Sequence, residues 1–305
     1  MRIVMSGASG FLGTRLAERL RQSGHEIVRL VRRPARDQAE AVWAPAQGRL
    51  DPAVLAGADA VINLSGANIG DHRWTARYQN VLRSSRVDTT DTVARAIAKL
   101  PAADRPRTLL NASGAGWYGD TGDQEVTEEA PAGNTVLADL CRVWEAAAHP
   151  AEDAGTRVVL MRTAPAVDAQ GSLLKPLLPL FRLGGGARFG GGRQWMAWIA
   201  MADWLGAAEF LLEREDLAGP VNLVSARQCT NGEFTRELGR QLHRPAFLTV
   251  PGPLLDVVLG EMAGELQRSQ RVIPGVLRAA GFSWRYPDIE SALAAALRPE
   301  AVINR

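Results

Sequence analysis

A glycine at every third position follows a short apolar segment near the start of the chain, in the run Gly7-Ala8-Ser9-Gly10-Phe11-Leu12-Gly13. Because glycine has no Cβ, such a run lets the backbone turn tightly, approach a pyrophosphate and pack the next helix against the preceding strand. The free N–H groups and positive dipole end of that helix then face the anion. The run predicts a dinucleotide site; the alternative is a glycine turn that holds no ligand.

Two arginines follow the second strand expected in such a unit. In a site for NAD, an acidic residue about 20 residues past the glycines binds the ribose 2′-hydroxyl. Here Arg32 and Arg33 follow the predicted strand Glu26–Val31, and the next acidic residue is Asp37. Guanidinium groups suit the 2′-phosphate of NADP because they form charge-assisted hydrogen bonds with it. The pair predicts a preference for NADP(H); the alternative is a solvated basic loop.

The elements that must position these residues follow from the apolar pattern. The helix after the glycines carries an apolar stripe of Leu12, Leu16 and Leu20. Gly24 is placed to end that helix, and the strand Glu26–Val31 comes directly after it. The pattern therefore predicts a complete βαβ unit.

Strand and helix patterns alternate over the following hundred or so residues. Strands are predicted at residues 58–64, 107–112 and 157–162, and helices at 83–100 and 137–154. This alternation predicts an α/β fold with a Rossmann-type, doubly wound parallel sheet, whose ligands lie at the carboxyl ends of the strands. Residues 1–170 are predicted to form the NADP-binding domain, with some later segments returning to it.

The second half has a looser pattern, and residues 171–305 are predicted to form a smaller C-terminal α/β substrate lobe. Two glycine triplets, at 184–186 and 190–192, precede Trp195 and Trp198. Paired glycine triplets are typical of a mobile or tightly turned loop, and we expect this loop to form a wall of the substrate pocket. A plain connecting turn is the alternative.

Composition narrows the class of protein. The 305 residues are 46% hydrophobic and 22% charged, with a net charge of +2, so neither nucleic acid nor a membrane surface is expected as a partner. Cys141 and Cys229 are the only cysteines, which favours a reducing compartment without disulfides. The four histidines are scattered without metal-ligand spacing. This spacing leads us to expect no metal. Because the chain opens on a core strand, we expect a cytoplasmic protein without a signal peptide.

Longer motifs in this chain resemble a known family. They are Ser6 to Gly13, Asp59 to Ala67 with Arg73-Trp74-Thr75, Ser85-Arg86-Val87, Asn111 to Gly119, Thr127-Glu128, Trp144-Glu145, Arg162-Thr163, Gly190 to Ile199, and Gln270 to Leu277 with Gly281-Phe282 and Tyr286-Pro287. In this order they resemble the atypical, epimerase-like branch (SDR39U1/YfcH type) of the extended short-chain dehydrogenases/reductases. The resemblance covers nearly the whole chain, including that branch's C-terminal domain at about residues 250–298.

The resemblance implies a role for each matching position. The pyrophosphate would lie on Gly7, Ser9, Gly10, Phe11 and Leu12. The 2′-phosphate would bind Arg32 and Arg33. The adenosine and ribose would be lined by Leu64, Ser65, Gly66 and Ala67, and the nicotinamide would lie beside Ala112 and Ser113.

The chain departs from the family at its catalytic pair. Short-chain dehydrogenases use a Ser with a Tyr-x-x-x-Lys pair on a helix, where the Lys lowers the pKa of the Tyr and holds the ribose. Alignment through Trp144-Glu145 puts Leu137 and Cys141 at those two positions, and neither can do that work. Tyr118 is then the candidate acid beside Ser113, although it could simply pack against the sheet. Cys141 could be a nucleophile or redox sensor, or inert core.

Other polar residues are weaker candidates. Arg73 and Trp74 could contact an anionic or planar substrate, or Trp74 could anchor a lid without touching it. Asp203 is predicted to cap a helix over residues 204–212. Glu128 is predicted as a structural partner, with a general base as alternative. Arg162 could form either an internal salt bridge or a substrate contact.

Together these features predict an NADP(H)-dependent oxidoreductase or epimerase-like enzyme. It would transfer hydride between the nicotinamide and a small molecule such as a nucleotide sugar or a carbonyl compound. Its active site would lie in a cleft between the lobes, with Ser113, Tyr118 and the loop from Trp195 to Trp198 on the walls. The competing prediction is a non-catalytic NADP(H)-binding sensor or interaction protein.

Overall fold

The computed structural model describes residues 1–298. The first half of the chain alternates strands and helices: β1 (Arg2–Ser6), α1 (Phe11–Gln22), β2 (Glu26–Val31), β3 (Glu40–Val42), β4 (Ala60–Asn63), α2 (Ala76–Ala98), β5 (Thr108–Gly114), α3 (Val136–Ala146), α4 (His149–Asp153) and β6 (Arg157–Thr163). Short 3₁₀ turns lie at Pro45–Gln47, Pro52–Val54, Ala102–Asp104 and Ala115–Tyr118.

Shorter elements fill the second half: β7 (Ala166–Val167), α5 (Leu177–Arg182), β8 (Ala187–Phe189), β9 (Trp195–Met196), β10 (Ile199–Ala200), α6 (Met201–Glu213), β11 (Gly219–Leu223), β12 (Cys229–Thr230), α7 (Asn231–Gln241), β13 (Leu248–Val250), α8 (Gly252–Leu259), α9 (Met262–Gln267), α10 (Gly275–Ala279) and α11 (Ile289–Ala296). Helix α7 begins at a capping box, in which Thr230 and Glu233 satisfy each other's backbone N–H groups.

The predicted doubly wound parallel sheet is confirmed. Seven strands lie in the order β11-β6-β5-β4-β1-β2-β3. The pairings from β6 through to β3 are all parallel. The strand order reverses between β1 and β4, and in such sheets the ligand binds outside the carboxyl ends of the strands at this reversal.

Burial explains why these segments form strands. Ile3, Val4 and Met5 of β1 are completely buried, as are Leu109 and Leu110 of β5. A strand that is apolar on both sides is stable only inside a sheet covered on both faces, so these continuous apolar runs fit a parallel sheet. One apolar cluster brings residues of β1, β2 and β4 together with the last turns of α2.

The chain forms two compact units, and both are discontinuous in sequence. Within the described residues, the first unit comprises residues 1–117, 132–163 and 205–221, and the second comprises residues 118–131, 164–204 and 222–298. Residues 205–221 belong to the first unit, although they come after most of the second. The single boundary predicted at residue 170 differs from the structure, because residues 118–131 belong to the second unit.

The second unit has its own apolar core and three two-stranded sheets. Strand β7 pairs with β10, β9 with β12, and β8 with β13. Large side chains from several elements meet in its core, among them Phe181, Trp198, Phe234 and Leu293. The predicted α/β character of this unit therefore takes the form of small sheets surrounded by helices.

Two predictions about helices are wrong. The single helix predicted over residues 137–154 is two helices, because Pro150 at the first turn of α4 begins a new helix instead of continuing α3. Asp203 is not a helix cap, since α6 begins at Met201. Its buried carboxylate instead accepts hydrogen bonds from the backbone N–H groups of Arg285 and Tyr286, and burial raises its pKa.

Candidate functional site

The glycine turn joins β1 to α1 and lies against the end of β4. Gly7 has a positive φ of 68°, and a Cβ there would lie 2.5 Å from the carbonyl carbon of Leu64. At Gly13, a Cβ would lie 2.1 Å from the carbonyl oxygen of Gly7. Only glycine fits at either position, because any other residue would push the turn away from β4 or lift the helix from the strand.

The first turn of α1 offers its backbone N–H groups to a ligand. Gly10 is the N-cap, and no side chain of the described residues caps this end. Ser9 and Gly10 are exposed, and the next two residues, Phe11 and Leu12, are half-buried. An uncapped helix start that follows a glycine turn favours an anion, since its free N–H groups and the helix dipole both attract negative charge.

The two arginines after β2 have different surroundings. Arg33 donates from both of its Nη atoms to the carboxylate of Glu40, at 2.7 Å each. Arg29 adds a third contact to that carboxylate at 2.9 Å, and the Arg33 hydrogen bonds lower the pKa of Glu40 to about 2. Arg32 is exposed and forms no ion pair within residues 1–298. The acidic partner was missed by sequence reasoning, which stopped at Asp37.

A buried polar network joins the carboxyl ends of β1, β4 and β5. Asn63 donates to Thr90 Oγ1 at 2.9 Å and to Asn111 Oδ1 at 2.7 Å, and both asparagines are completely buried. Ser6 donates to Asn63, and Ser65 donates to Ser6 at 2.9 Å. Such a satisfied network fixes the strand ends on which the ligand would lie. The signal in the sequence is an asparagine directly after the apolar residues of two strands, Asn63 at the end of β4 and Asn111 within β5.

The predicted ribose segment follows β4 directly. Leu64, Ser65 and Ala67 are half-buried, and Gly66 is exposed. The backbone N–H of Ala67 donates to Ser85 on α2 at 3.0 Å. This segment is therefore held between the buried network around Asn63 and helix α2, at the position where the strand order reverses.

Ser113, near the end of β5, belongs to a buried ionic cluster. Its hydroxyl donates to Glu145 at 2.6 Å. Arg162 donates to both oxygens of the same carboxylate at 2.9 Å, and its guanidinium lies 3.8 Å from the ring centre of Trp117. The internal salt bridge predicted as one alternative for Arg162 is therefore present. Ser113 is 4% exposed. Because its hydroxyl donates to Glu145, its oxygen can act only as an acceptor toward any further partner.

Helix α3 presents Leu137 and Cys141 to the segment that ends β5. A Cβ at Gly116 would lie 2.9 Å from Leu137 Cβ. One turn further on, Cys141 donates to the carbonyl oxygen of Gly114 at 3.5 Å. These two side chains occupy the face of the helix, four residues apart, on which the family resemblance places Tyr and Lys. Ala112, assigned to the nicotinamide, lies two residues before Gly114 and is half-buried.

The two cysteines have the properties of core thiols. Both are buried. Burial raises the pKa of Cys141 to about 11 and that of Cys229 to about 12. A thiol with such a pKa is protonated at neutral pH and is a poor nucleophile. The structure therefore favours the inert alternative for Cys141.

Tyr118 lies in the second unit with its hydroxyl engaged. It is 4% exposed and donates to Asn222 Oδ1 at 2.6 Å. The same asparagine receives support from Glu128, whose carboxylate accepts from the Asn222 backbone at 2.9 Å and from the Val276 backbone at 3.3 Å. Glu128 is thus the structural partner that the sequence predicts. The packed alternative for Tyr118 fits this geometry.

The predicted substrate contacts have varied surroundings. Arg73 is exposed, whereas Trp74 is buried and donates to the carbonyl oxygen of Ile69 at 3.0 Å. Trp195 lines a cavity of about 120 Å³ within the second unit, together with side chains such as Phe189. Trp198 is completely buried in the core of that unit. Their contact with a substrate stays a prediction.

Within the described residues, no group of three or more His, Cys, Asp and Glu side chains could hold a metal ion. No helix in residues 1–298 has the length and apolar character needed to cross a membrane.

Comparison with known families assigns the chain. Residues 3–223 match the NAD dependent epimerase/dehydratase family, and residues 250–296 match a domain of unknown function (DUF1731). The chain belongs to this epimerase family. The predicted family and its C-terminal domain are both confirmed.

Individual relatives cover nearly the whole chain. An epimerase family protein of Mycobacterium bovis is 41% identical over 95% of this chain and 96% of its own. The human epimerase family protein SDR39U1 is 33% identical over 96% and 98%. A crystal structure of human SDR39U1 (isoform 2) with NADPH superimposes with a TM-score of 0.89 at 32% identity, and it covers 98% of this chain and all of that one.

Proposed function

We propose that this protein binds NADP(H) and transfers hydride between the nicotinamide and a carbon atom of a small molecule, such as a nucleotide sugar or a carbonyl compound. The observation that carries the proposal is the uncapped start of α1 behind the Gly7 turn, where no β-carbon fits at Gly7 or Gly13. The family relation adds support, because a relative with the same fold is a complex with NADPH.

The residues of the first unit fit the cofactor. The N–H groups at the start of α1 would hold the pyrophosphate, and Arg32 would bind the 2′-phosphate beside the end of β2. Arg33, whose guanidinium is already paired with Glu40, would shape that loop and leave the phosphate to Arg32. When bound, the cofactor supplies or accepts the hydride; Ser113 would orient the reacting carbonyl or alcohol beside it.

Cofactor titration tests the binding step. We expect NADPH to bind at least about tenfold more tightly than NADH, because a charge-assisted hydrogen bond contributes roughly 1.5–3 kcal/mol. Arg32→Ala should remove most of that difference. Arg36→Ala is the matched control, since Arg36 is also exposed and contacts Glu40 through its backbone N–H. Equal affinity of the wild-type protein for both cofactors would refute the assignment of NADP.

A specific observation favours a second candidate, a non-catalytic NADP(H)-binding protein. Leu137 has no titratable group, and Cys141 carries no positive charge and donates its thiol hydrogen to the carbonyl oxygen of Gly114. The hydroxyls of Ser113 and Tyr118 are engaged by Glu145 and Asn222. These contacts would have to rearrange before either hydroxyl could protonate a substrate.

Two variants separate the candidates. If the protein is an enzyme, Ser113→Ala should lower the rate of NADPH oxidation with a panel of aldehydes, ketones and nucleotide sugars while NADPH affinity is kept. If it is a binding protein, no member of the panel is turned over by the wild type. Leu137→Tyr/Cys141→Lys should then create activity, because it restores the usual pair on the same face of α3.

A further inference from the structure

Arg86 is a buried cation on α2. It belongs to one of the motifs that carry the family resemblance, but no role for it was predicted from the sequence. Only 6% of the residue is exposed. One of its nitrogens, Nη1, donates to the carbonyl oxygen of Leu82 at 3.1 Å. The guanidinium also lies 5.1 Å from the ring centre of Trp144. Among residues 1–298 it forms no ion pair with a carboxylate.

A buried guanidinium without an anionic partner is costly. Arginine carries five N–H donors and stays charged in proteins, so burying it without a carboxylate is destabilising. No Arg86 nitrogen is among the fully buried side-chain atoms that lack a hydrogen-bond partner in residues 1–298, so its donors without a protein acceptor keep some access to solvent and to a ligand. Burial lowers the pKa of Arg86, because the charged form of the guanidinium is less stable there than in water. The other buried arginine of the first unit, Arg162, differs because it is paired with the carboxylate of Glu145. The surroundings of Arg86 therefore point to a ligand that supplies the missing acceptors.

The position of Arg86 indicates which part of a ligand it would meet. A Cβ at Gly66 would lie 3.3 Å from both Cγ and Cζ of Arg86, so the arginine lies beside the exposed Gly66 in the segment that follows β4. The Arg86 charge also opposes the rise in the pKa of Cys141. Arg86 therefore stands near both the end of β4 and the residue at the position of the missing lysine.

The sheet order separates the two halves of a dinucleotide. Arg32 lies after β2, on one side of β1, whereas Gly66 and Cys141 belong with β4 and β5 on the other side. A dinucleotide bound across the reversal between β1 and β4 would place its adenosine half toward β2 and its nicotinamide half toward β5. Arg86 would then belong to the nicotinamide half.

We propose that Arg86 replaces the missing lysine of this family: its guanidinium donates hydrogen bonds to the hydroxyls of the nicotinamide-side ribose of NADP(H). The proposal rests on the proposed cofactor. Unlike the lysine, which would come from α3 at residue 141, this cation comes from α2 and passes beside Gly66, where the absence of a Cβ leaves room for it.

Two ligands test the proposal by equilibrium binding with the full chain. NADPH carries the nicotinamide ribose, and adenosine 2′,5′-bisphosphate lacks it. We expect Arg86→Met to weaken NADPH at least about tenfold, as for the loss of a hydrogen bond to a charged group. The affinity for adenosine 2′,5′-bisphosphate should stay within about twofold. Arg83→Met is the matched control, because Arg83 is an exposed arginine on the same helix, and it should change neither affinity.

Stability of the ligand-free protein separates a ligand role from a structural one. Replacing an unpaired buried cation by an apolar side chain should leave the thermal midpoint unchanged or raise it. A fall in the midpoint, or a failure of Arg86→Met to fold, would overturn the proposal, because it would show that the charge already has the partners it needs. Arg86→Gln gives the affinity comparison a second, smaller perturbation with planar donors and no charge.

The remaining outcomes are equally decisive. If Arg86→Met and Arg86→Gln leave NADPH affinity within twofold, or weaken both ligands equally, the ribose contact is refuted while the NADP assignment stands. If wild-type protein binds neither NADPH nor adenosine 2′,5′-bisphosphate, the proposed cofactor itself fails.

Discussion

The buried cluster of Ser113, Glu145 and Arg162 allows a stability effect to be worked out from the structure. The two charged residues are 5% and 3% exposed, and two hydrogen bonds of 2.9 Å join them. Glu145→Gln keeps the size of the side chain but removes its charge. The buried cation Arg162 then loses the carboxylate that accepts both of these hydrogen bonds, so the variant should be strongly destabilised.

The size of that effect follows from the chemistry of the pair. Breaking a buried ion pair by removing one partner costs about 3–5 kcal/mol. The lower end, about 3 kcal/mol, is expected because the amide oxygen of Gln can still accept one hydrogen bond. The stack of Arg162 on Trp117 is present before and after the change, so it does not offset the loss. Asp139→Asn, which removes an exposed ion pair with Arg142 on the same helix, should cost less than about 1 kcal/mol.

Urea unfolding at pH 7, followed by circular dichroism, measures these differences. The double variant Glu145→Gln/Arg162→Met should be more stable than Glu145→Gln alone, because it removes the uncompensated charge. A cost below 1 kcal/mol for Glu145→Gln, or costs that simply add in the double variant, would refute the account of the cluster as a buried ion pair.

Three further results are expected. Gly13→Ala should destabilise the protein by about 1–3 kcal/mol and weaken NADPH binding, since its Cβ would lie 2.1 Å from the carbonyl oxygen of Gly7. Gly191→Ala is the control and should do neither, because the nearest atom to its Cβ would be 4.0 Å away. Similar losses in both variants would contradict the steric argument. Iodoacetamide at pH 8 should label Cys141 in the folded protein at least about a hundredfold more slowly than in the urea-unfolded protein, because burial raises the pKa of this thiol from 9.0 to about 11. Peptide mass spectrometry measures the labelling. Rapid labelling of the folded protein would favour the reactive alternative. Arg33 lowers the pKa of Glu40 from 4.5 to about 2. The wild type should therefore be more stable than Glu40→Gln by its full margin above pH 4.5, and this margin should be lost as the pH falls through about 2. Thermal midpoints that differ equally at pH 6 and pH 2 would contradict this.

The sequence predicts the sheet better than the lobe that follows it. Segments such as Glu26–Val31 are strands with the predicted bounds, because an apolar run buried on both faces leaves a clear pattern. The break between α3 and α4 was missed, since apolar periodicity continues across it and only Pro150 marks a new start. The short strands of the second unit, two or three residues each, are below the length at which alternation can be recognised.

The candidate site divides in the same way. The Gly7 turn is a local motif, so the spacing of its glycines in the sequence predicts its geometry. Contacts between distant residues leave no such mark: Arg86 lies beside Gly66 and Trp144 only because two strands and two helices bring them together. The hydroxyl partner of Ser113, Glu145, is 32 residues away and was equally hidden.

The late return of the chain to the first unit has a consequence for its synthesis. Strand β11 closes the sheet beside β6, yet residues 219–223 leave the ribosome about 60 residues after β6 does. Until then β6 is an edge strand with one row of unpaired backbone groups, and its buried sequence, with Val158, Val159 and Met161, is apolar. Such an edge can pair with another chain. The nascent protein is therefore most exposed to misassociation during the interval in which the whole middle of the second unit is being made.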